Sequence, residues 1–138
     1  MRTECAVLCD AASVREGLLH ILGAGVTQVS VAEFPAALPV TFAFRVVLEP
    51  RELRSEHRLR VQVMDYSADK VLGQFQFDFR VQKPDPVREE AAFAAPIPLE
   101  VLRVPAPGQY VFEATFDHTR LASIPLRVQR IESPDADT

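Results

Sequence analysis

The sequence lacks tryptophan, contains only two cysteines among 138 residues, and has no long apolar run. No stretch approaches the roughly 18 apolar residues that a membrane-spanning helix needs. The first residues also lack the apolar core and cleavage site of a signal peptide, which predicts a cytoplasmic protein. The two cysteines do not form a Cys-x-x-Cys pair, and no residues beside them complete a zinc site. We therefore expect no metal and no other cofactor.

The chain also lacks a concentration of charge of one sign. Its 15 basic and 19 acidic residues are mixed along the sequence and give a net charge of -4. Nucleic acids and anionic membranes are bound by concentrated basic patches, so we expect neither as a partner. The apolar fraction of 48% and charged fraction of 25% are typical of a soluble globular protein.

The clearest pattern in the sequence is the stretch Arg58 to Val81. Apolar and polar residues alternate through 58–65 and again through 71–81, the period of strands with one buried face. The intervening residues 66–70 predict a turn, so the stretch predicts a β-hairpin. We expect Phe75, Phe77 and Phe79 to face the core, and the hairpin to occupy the centre of one sheet.

Further strands are predicted along the rest of the chain, at 4–9, 18–22, 26–32, 41–48, 97–104, 109–116 and 120–131. Asp10 is expected to cap a single helical turn. Gly23-Ala24-Gly25 predicts a turn that pairs 18–22 with 26–32. The proline-rich segment 82–98 is interpreted as a loop, and the prolines at positions 98 and 125 predict edge strands.

These segments together predict an all-β protein. About eight short strands and no long helix favour a two-sheet antiparallel β-sandwich, with a closed barrel as the alternative. Residues 1–131 would form a single domain, and 132–138 a flexible acidic tail.

Three segments carry a resemblance to a known family. They are 8–12 (LCDAA), 16–26 (EGLLHILGAGV) and 105–110 (PAPGQY). They resemble a family of small, single-domain bacterial proteins of unknown function, and the resemblance implies a cytoplasmic location and no assigned catalytic residues. The segment around Tyr110, followed by a hairpin, also resembles the closing strands of immunoglobulin-like sandwiches, where such a tyrosine bonds back to the main chain.

Residues able to support chemistry are scattered. Cys5 and Cys9 would lie on one face of a strand, roughly 13 Å apart, beyond disulfide reach. Buried structural thiols are favoured over a reactive Cys9. His20, His57 and His118 have no spacing that a metal or catalytic site requires. His20 is expected on the outer face of its strand, His57 in a polar loop, and His118 in a turn with positive φ.

Glycine-rich and acidic positions also favour structural roles. Gly23-Ala24-Gly25 lacks the following Lys-Ser/Thr of a phosphate-binding loop. The aspartates at 10, 65, 69 and 117 lie at strand ends without an Asp-x-Asp run, which favours turn formation over calcium binding.

One surface remains as a candidate interface. The polar face of the predicted hairpin carries Arg58, Arg60, Gln62, Met64, Gln74 and Gln76. A solvated face with cross-strand pairs is one interpretation, and a surface that meets a protein partner is the other.

We expect a non-enzymatic protein-interaction or assembly domain, self-associating or binding a partner through a sheet face or edge strand. The alternative is a small-ligand or carbohydrate-binding module, which would need exposed aromatic residues such as Tyr66, Phe93 or Phe34. A third possibility is an enzyme that uses Cys9 or a histidine.

Overall fold

A computed structural model describes residues 1–66, 70–81 and 90–131. The described residues form twelve β-strands and one short 3-10 helix, Pro50–Arg54, with no α-helix among them. The strands are β1 (Arg2–Cys9), β2 (Ala11–Arg15), β3 (Leu18–Leu22), β4 (Gln28–Val31), β5 (Ala36–Ala37), β6 (Thr41–Leu48), β7 (His57–Asp65), β8 (Val71–Phe79), β9 (Ala91–Pro98), β10 (Arg103–Val104), β11 (Gly108–Phe116) and β12 (Thr119–Arg130). The prediction of an all-β protein is confirmed.

Two sheets pack face to face around a phenylalanine-rich core. One has the order β1-β6-β9, and the other has the order β4-β12-β11-β7-β8. The rings of Phe42 in β6 and Phe112 in β11 lie 5.0 Å apart across the interior, and those of Phe79 in β8 and Phe93 in β9 lie 4.4 Å apart. These two sheets contain eight strands, as the sandwich prediction required, while β2-β3 and β5-β10 form two small accessory sheets.

The predicted hairpin at 58–81 is confirmed as the antiparallel pair β7-β8. Its position is different from the prediction: β8 lies at the edge of the five-stranded sheet, and β11 is the central strand. The alternation also changes near the turn. A register irregularity between Val63 and Met64 turns Val71 outward, where its side chain is 42% exposed. The turn residues 67–69, with Asp69, lie outside the described residues.

The edge position of β8 explains why its aromatic residues are only half-buried. Phe75, Phe77 and Phe79 face the core as predicted, yet none is fully buried. Leu59, Val61 and Val63 in the neighbouring interior strand β7 are completely buried. The hydrophobic contribution of the hairpin therefore decreases from β7 towards β8.

The N-terminal third pairs differently from the sequence prediction. Asp10 does not cap a helical turn, because β2 begins at Ala11 and pairs antiparallel with β3. The expected pairing of 18–22 with 26–32 is also wrong, because β4 instead runs parallel to the C-terminal end of β12. After β3 the chain bends at Gly23, which has a φ of +68°. It then continues to β4 in the five-stranded sheet. A parallel partner about 100 residues away leaves no local sequence signal.

β6 is buried on both faces. Phe42, Phe44 and Val46 face the interior as predicted, but Ala43 and Val47 are also buried. The β2-β3 hairpin contacts the middle of this sheet, which removes part of its outer face from solvent.

Two proline-containing segments differ from the prediction. The predicted strand 97–104 is divided, because β9 ends at Pro98 and β10 contains only Arg103 and Val104. Ala91–Pro98, predicted to lie in a loop, is an edge strand, while 82–89 and the expected tail 132–138 lie outside the described residues.

Pro125 lies in β12, which is not an edge strand. β4 pairs only with 127–130 of β12. Arg127 donates its N–H to Thr27 on this side, and the nitrogen of Pro125, two residues earlier, points the same way. Since β4 does not reach position 125, the missing N–H of proline leaves no ladder bond unmade.

Candidate functional site

An open polar groove of about 600 Å³ lies at one end of the outward face of the five-stranded sheet. It is formed where β7, β8 and the β11-β12 turn meet. The side chains that line it include Arg58, Arg60, Gln76, Asp78, Thr115 and Asp117.

The side chains of the groove form rows that run across neighbouring strands. In the first row, Arg58 is hydrogen-bonded to residues on both sides. Arg58 donates from Nε to Asp78 Oδ1 at 2.8 Å, across the β7-β8 pair. This hydrogen bond and the attraction between the charges raise the pKa of Arg58 and lower the pKa of Asp78. On the other side, the backbone N–H of Arg58 donates to Asp117 Oδ1 at 2.9 Å.

His57 forms the buried floor beside this row. Its side chain is 5% exposed, and its ring centroid lies 5.3 Å from that of Phe116. Nδ1 lies 2.7 Å from Asp117 Oδ2, and Nε2 lies 2.7 Å from the carbonyl oxygen of Glu52. A carbonyl oxygen can only accept, so Nε2 donates to Glu52, while Nδ1 faces the Asp117 carboxylate at hydrogen-bond distance. Neither ring nitrogen remains available to a substrate.

Asp117 can make these bonds because of its backbone. It occupies the first position of the two-residue β11-β12 turn with a φ of +55°, a conformation that aspartate tolerates. The prediction had assigned positive φ to the turn at His118, which the structure places at the exposed rim of the groove.

Glu52 connects the floor of the groove to the start of the chain. Its carboxylate accepts from the α-ammonium group of Met1 at 2.7 Å and from the N–H of Glu49 at 2.9 Å. Glu49 is the N-cap residue that precedes the 3-10 helix. Burial acts to raise the pKa of Glu52, but these donors and the positive charge of the ammonium group outweigh it, and the pKa is lowered. The helix thereby holds the Glu52 carbonyl oxygen against His57.

The second row, centred on Arg60, differs from the first because its side chains are not joined by an ion pair. Arg60 lies between Gln76 of β8 and Thr115 of β11, both uncharged. Among the described residues, the guanidinium group of Arg60 has no ion pair or hydrogen bond. Arg60 and Gln76 are exposed, and Thr115 is half-buried.

The third row is again satisfied internally. Gln62 lies between Gln74 and Glu113 and donates to Glu113 Oε2 at 3.2 Å. The other oxygen of Glu113 accepts from Ser123 at 3.4 Å and lies 3.6 Å from Arg120. This carboxylate is therefore committed to its neighbours, and Arg60 lies between two rows whose charges are already paired.

The structure divides the six residues of the predicted interface into two groups. All six lie on the outward face of β7-β8, and Arg58, Arg60 and Gln76 line the groove. Gln62, Met64 and Gln74 lie farther along the same face. The sequence did not indicate two residues of this site: His57, expected in a loop but buried at the start of β7, and Thr115. Asp117 had been interpreted only as a turn residue.

The cysteines are not positioned for catalysis. Both are free thiols; Cys5 is half-buried and Cys9 is fully buried. Cys9 Sγ donates to the carbonyl oxygen of Thr41 at 3.4 Å, and burial raises the pKa of its thiol. A buried, protonated thiol is a poor nucleophile.

His20 is exposed on β3, as predicted, and lies away from the polar groove. It borders a separate apolar depression of about 360 Å³ that also includes Ile21 and Leu22. Within residues 1–66, 70–81 and 90–131, no three His, Cys, Asp or Glu side chains are grouped to hold a metal ion.

The aromatic residues named for carbohydrate binding are dispersed. Tyr66 is 61% exposed, but Phe93 stacks on Phe79 and Phe34 lies beneath the guanidinium group of Arg130. None of the three lines the polar groove.

Comparison with known families accounts for most of the chain. The family described as "Family of unknown function (DUF6941)" matches residues 4–129. The chain belongs to this family. A search of curated proteins finds no match. Family membership thus agrees with the resemblance noted in the sequence and adds no activity.

Tyr110 forms the hydrogen bond to the main chain that its sequence context suggested. The hydroxyl of Tyr110 donates to the carbonyl oxygen of Ala106, four residues earlier, and burial raises the pKa of the phenol.

The part of the chain that the structure describes contains no helix with the length and apolar character to cross a bilayer.

Proposed function

We propose that this protein is a non-enzymatic, cytoplasmic protein-interaction domain that binds its partner through the outward face of β7, β8 and β11. The observation that carries the proposal is the groove of about 600 Å³, which opens on the same face as the predicted interface residues. Two of the residue types on this face, Arg and Met, are enriched at protein–protein interfaces.

The state of the potential catalytic groups supports a binding role over an enzymatic one. Both ring nitrogens of His57 are engaged, and Cys9 is buried with its thiol bonded to the main chain. A histidine that acts as a general base needs a free ring nitrogen within reach of a substrate proton. The dispersed aromatic residues also give little support to carbohydrate binding, which relies on aromatic stacking surfaces.

A steric block of the face tests the proposal. Gln74→Trp places a bulky side chain on the outward face of β8, next to the groove. Gln28→Trp is the matched control, because Gln28 is exposed on β4 at the opposite edge of the same sheet. Tagged wild-type and variant proteins would be cross-linked in native cells, and captured proteins quantified by mass spectrometry.

We expect a partner that is captured by the wild type and by Gln28→Trp but lost with Gln74→Trp. Light scattering on the purified proteins would show whether a second copy is that partner, since a dimer would dissociate in Gln74→Trp alone. Equal capture by all three proteins, together with an unchanged oligomeric state, would contradict the proposal.

A further inference from the structure

Arg60 lies on the outward face of the five-stranded sheet, between two cross-strand rows whose charged groups are bonded to their neighbours. In the row before Arg60, Asp78 is bonded to Arg58, and in the row after it, Glu113 is bonded to Gln62. The direct neighbours of Arg60 across both strand pairs are neutral hydrogen-bonding residues, Gln76 and Thr115. Neighbours directly opposite in a sheet have Cβ atoms about 5 Å apart, so these three polar groups converge on one small area.

We propose that this area binds a carboxylate, the side chain of an aspartate or glutamate presented by the partner protein. The inference rests on the proposed function and names the chemistry of its partner. The guanidinium group of Arg60 offers two parallel N–H donors that match the two oxygens of a carboxylate. Gln76 and Thr115 add an amide and a hydroxyl donor on either side.

The neighbouring rows support this role by holding the other charges in place. Arg58 is bonded to Asp78, and Asp117 is bonded to His57, so these carboxylates are directed to their own partners. Arg60 therefore does not need to exchange partners when an acidic group arrives. A donor that is not engaged in an ion pair loses less on binding than one that must first break such a pair.

The test uses two small probes that differ only in charge. N-acetylglutamate methylamide carries the carboxylate, and N-acetylglutamine methylamide is its neutral counterpart. Arginine Nε–Hε resonances of the 15N-labelled protein would be followed during titration with each probe. We expect the glutamate probe to shift the Arg60 resonance saturably at a Kd in the ~1 mM range or above, and the glutamine probe to leave it unchanged.

Matched variants assign the effect to this site. Arg60→Gln should abolish saturable binding of the glutamate probe. Arg127→Gln should retain it, because Arg127 is exposed on the same sheet but far from Arg60. Arg127 pairs with Gln109, which lies six residues, or roughly 20 Å, along β11 from Thr115. Equal shifts for both probes, or equal shifts at all exposed arginines, would overturn the inference.

The two proposals fail in different ways. If Gln74→Trp removes the partner while the glutamate probe does not bind, the interaction face stands and the carboxylate assignment is wrong. If the probe binds at Arg60 but no partner depends on Gln74, the site takes small acids, and both the protein-interaction proposal and the partner side chain named here are overturned. Loss of the partner with Gln74→Trp and with Arg60→Gln, but not with Arg127→Gln, supports both.

Discussion

The two faces of β7 differ in burial and therefore in how much they contribute to stability. Its inward residues Leu59, Val61 and Val63 are completely buried, and they belong to the same core as Phe112. Its outward residues Arg58 and Arg60 are exposed and lie among polar neighbours. Burial of apolar area is the main source of stability, while exposed ion pairs contribute little. The inward face therefore maintains the fold, and substitutions on the outward face should change stability little.

The largest expected effect tests the inward face. Phe112→Ala removes a completely buried ring at the centre of the sandwich and should lower the free energy of unfolding by about 3–5 kcal/mol. Phe77→Ala, on the half-buried edge strand β8, should cost roughly half as much. Urea unfolding of both variants would measure the difference. A larger loss for Phe77→Ala would show that β8 contributes more to the core than its burial indicates.

A smaller effect is expected where the two faces meet, at Asp117. Asp117→Ala removes the acceptor of the Arg58 N–H and the carboxylate paired with His57, and should cost about 1–3 kcal/mol. Asp117→Asn should cost less, because its amide oxygen still accepts from Arg58 while its NH₂ donates to the Nδ1 of a neutral imidazole. Equal losses in the two variants, measured by urea unfolding, would contradict this description.

Acid conditions should reveal the contribution of Glu52. Its pKa is lowered in the folded protein below the ordinary value of 4.5, so the folded state favours the ionised carboxylate. This stabilisation is complete above pH 4.5 and is lost as the pH falls through the lower folded pKa. The stability difference between wild type and Glu52→Gln should therefore be largest near neutral pH and shrink in acid. A constant difference in unfolding free energy across a pH series would rule this out.

The smallest expected effects lie on the outward face. Arg60→Gln should leave the thermal midpoint unchanged, because among the described residues its guanidinium group has no partner to lose. Arg58→Gln breaks an exposed ion pair with Asp78 and should also change stability little, with a difference that disappears at high salt. A marked destabilisation by Arg60→Gln would mean that this side chain maintains the fold, and the binding site would then have to be sought elsewhere.

Much of the fold could be predicted wherever a strand buries one face. Alternation through 58–65, 71–81 and 109–116 predicted strands and most of their inward residues, because a sheet residue faces either the core or solvent. The prediction was wrong where pairing is not local. β4 pairs in parallel with β12, and β8 lies at an edge, and the apolar pattern of one strand does not identify its neighbour.

The sequence by itself determined an all-β protein and the polar composition of the β7-β8 face, because period-two alternation follows directly from strand geometry. Only the tertiary structure decided which polar groups meet. The register places Asp117 beside Arg58 and Thr115 beside Arg60, across more than fifty residues of chain. The carboxylates of Asp78 and Asp117 are thereby bonded to neighbouring residues of the same chain, while the side chain of Arg60 is exposed to solvent.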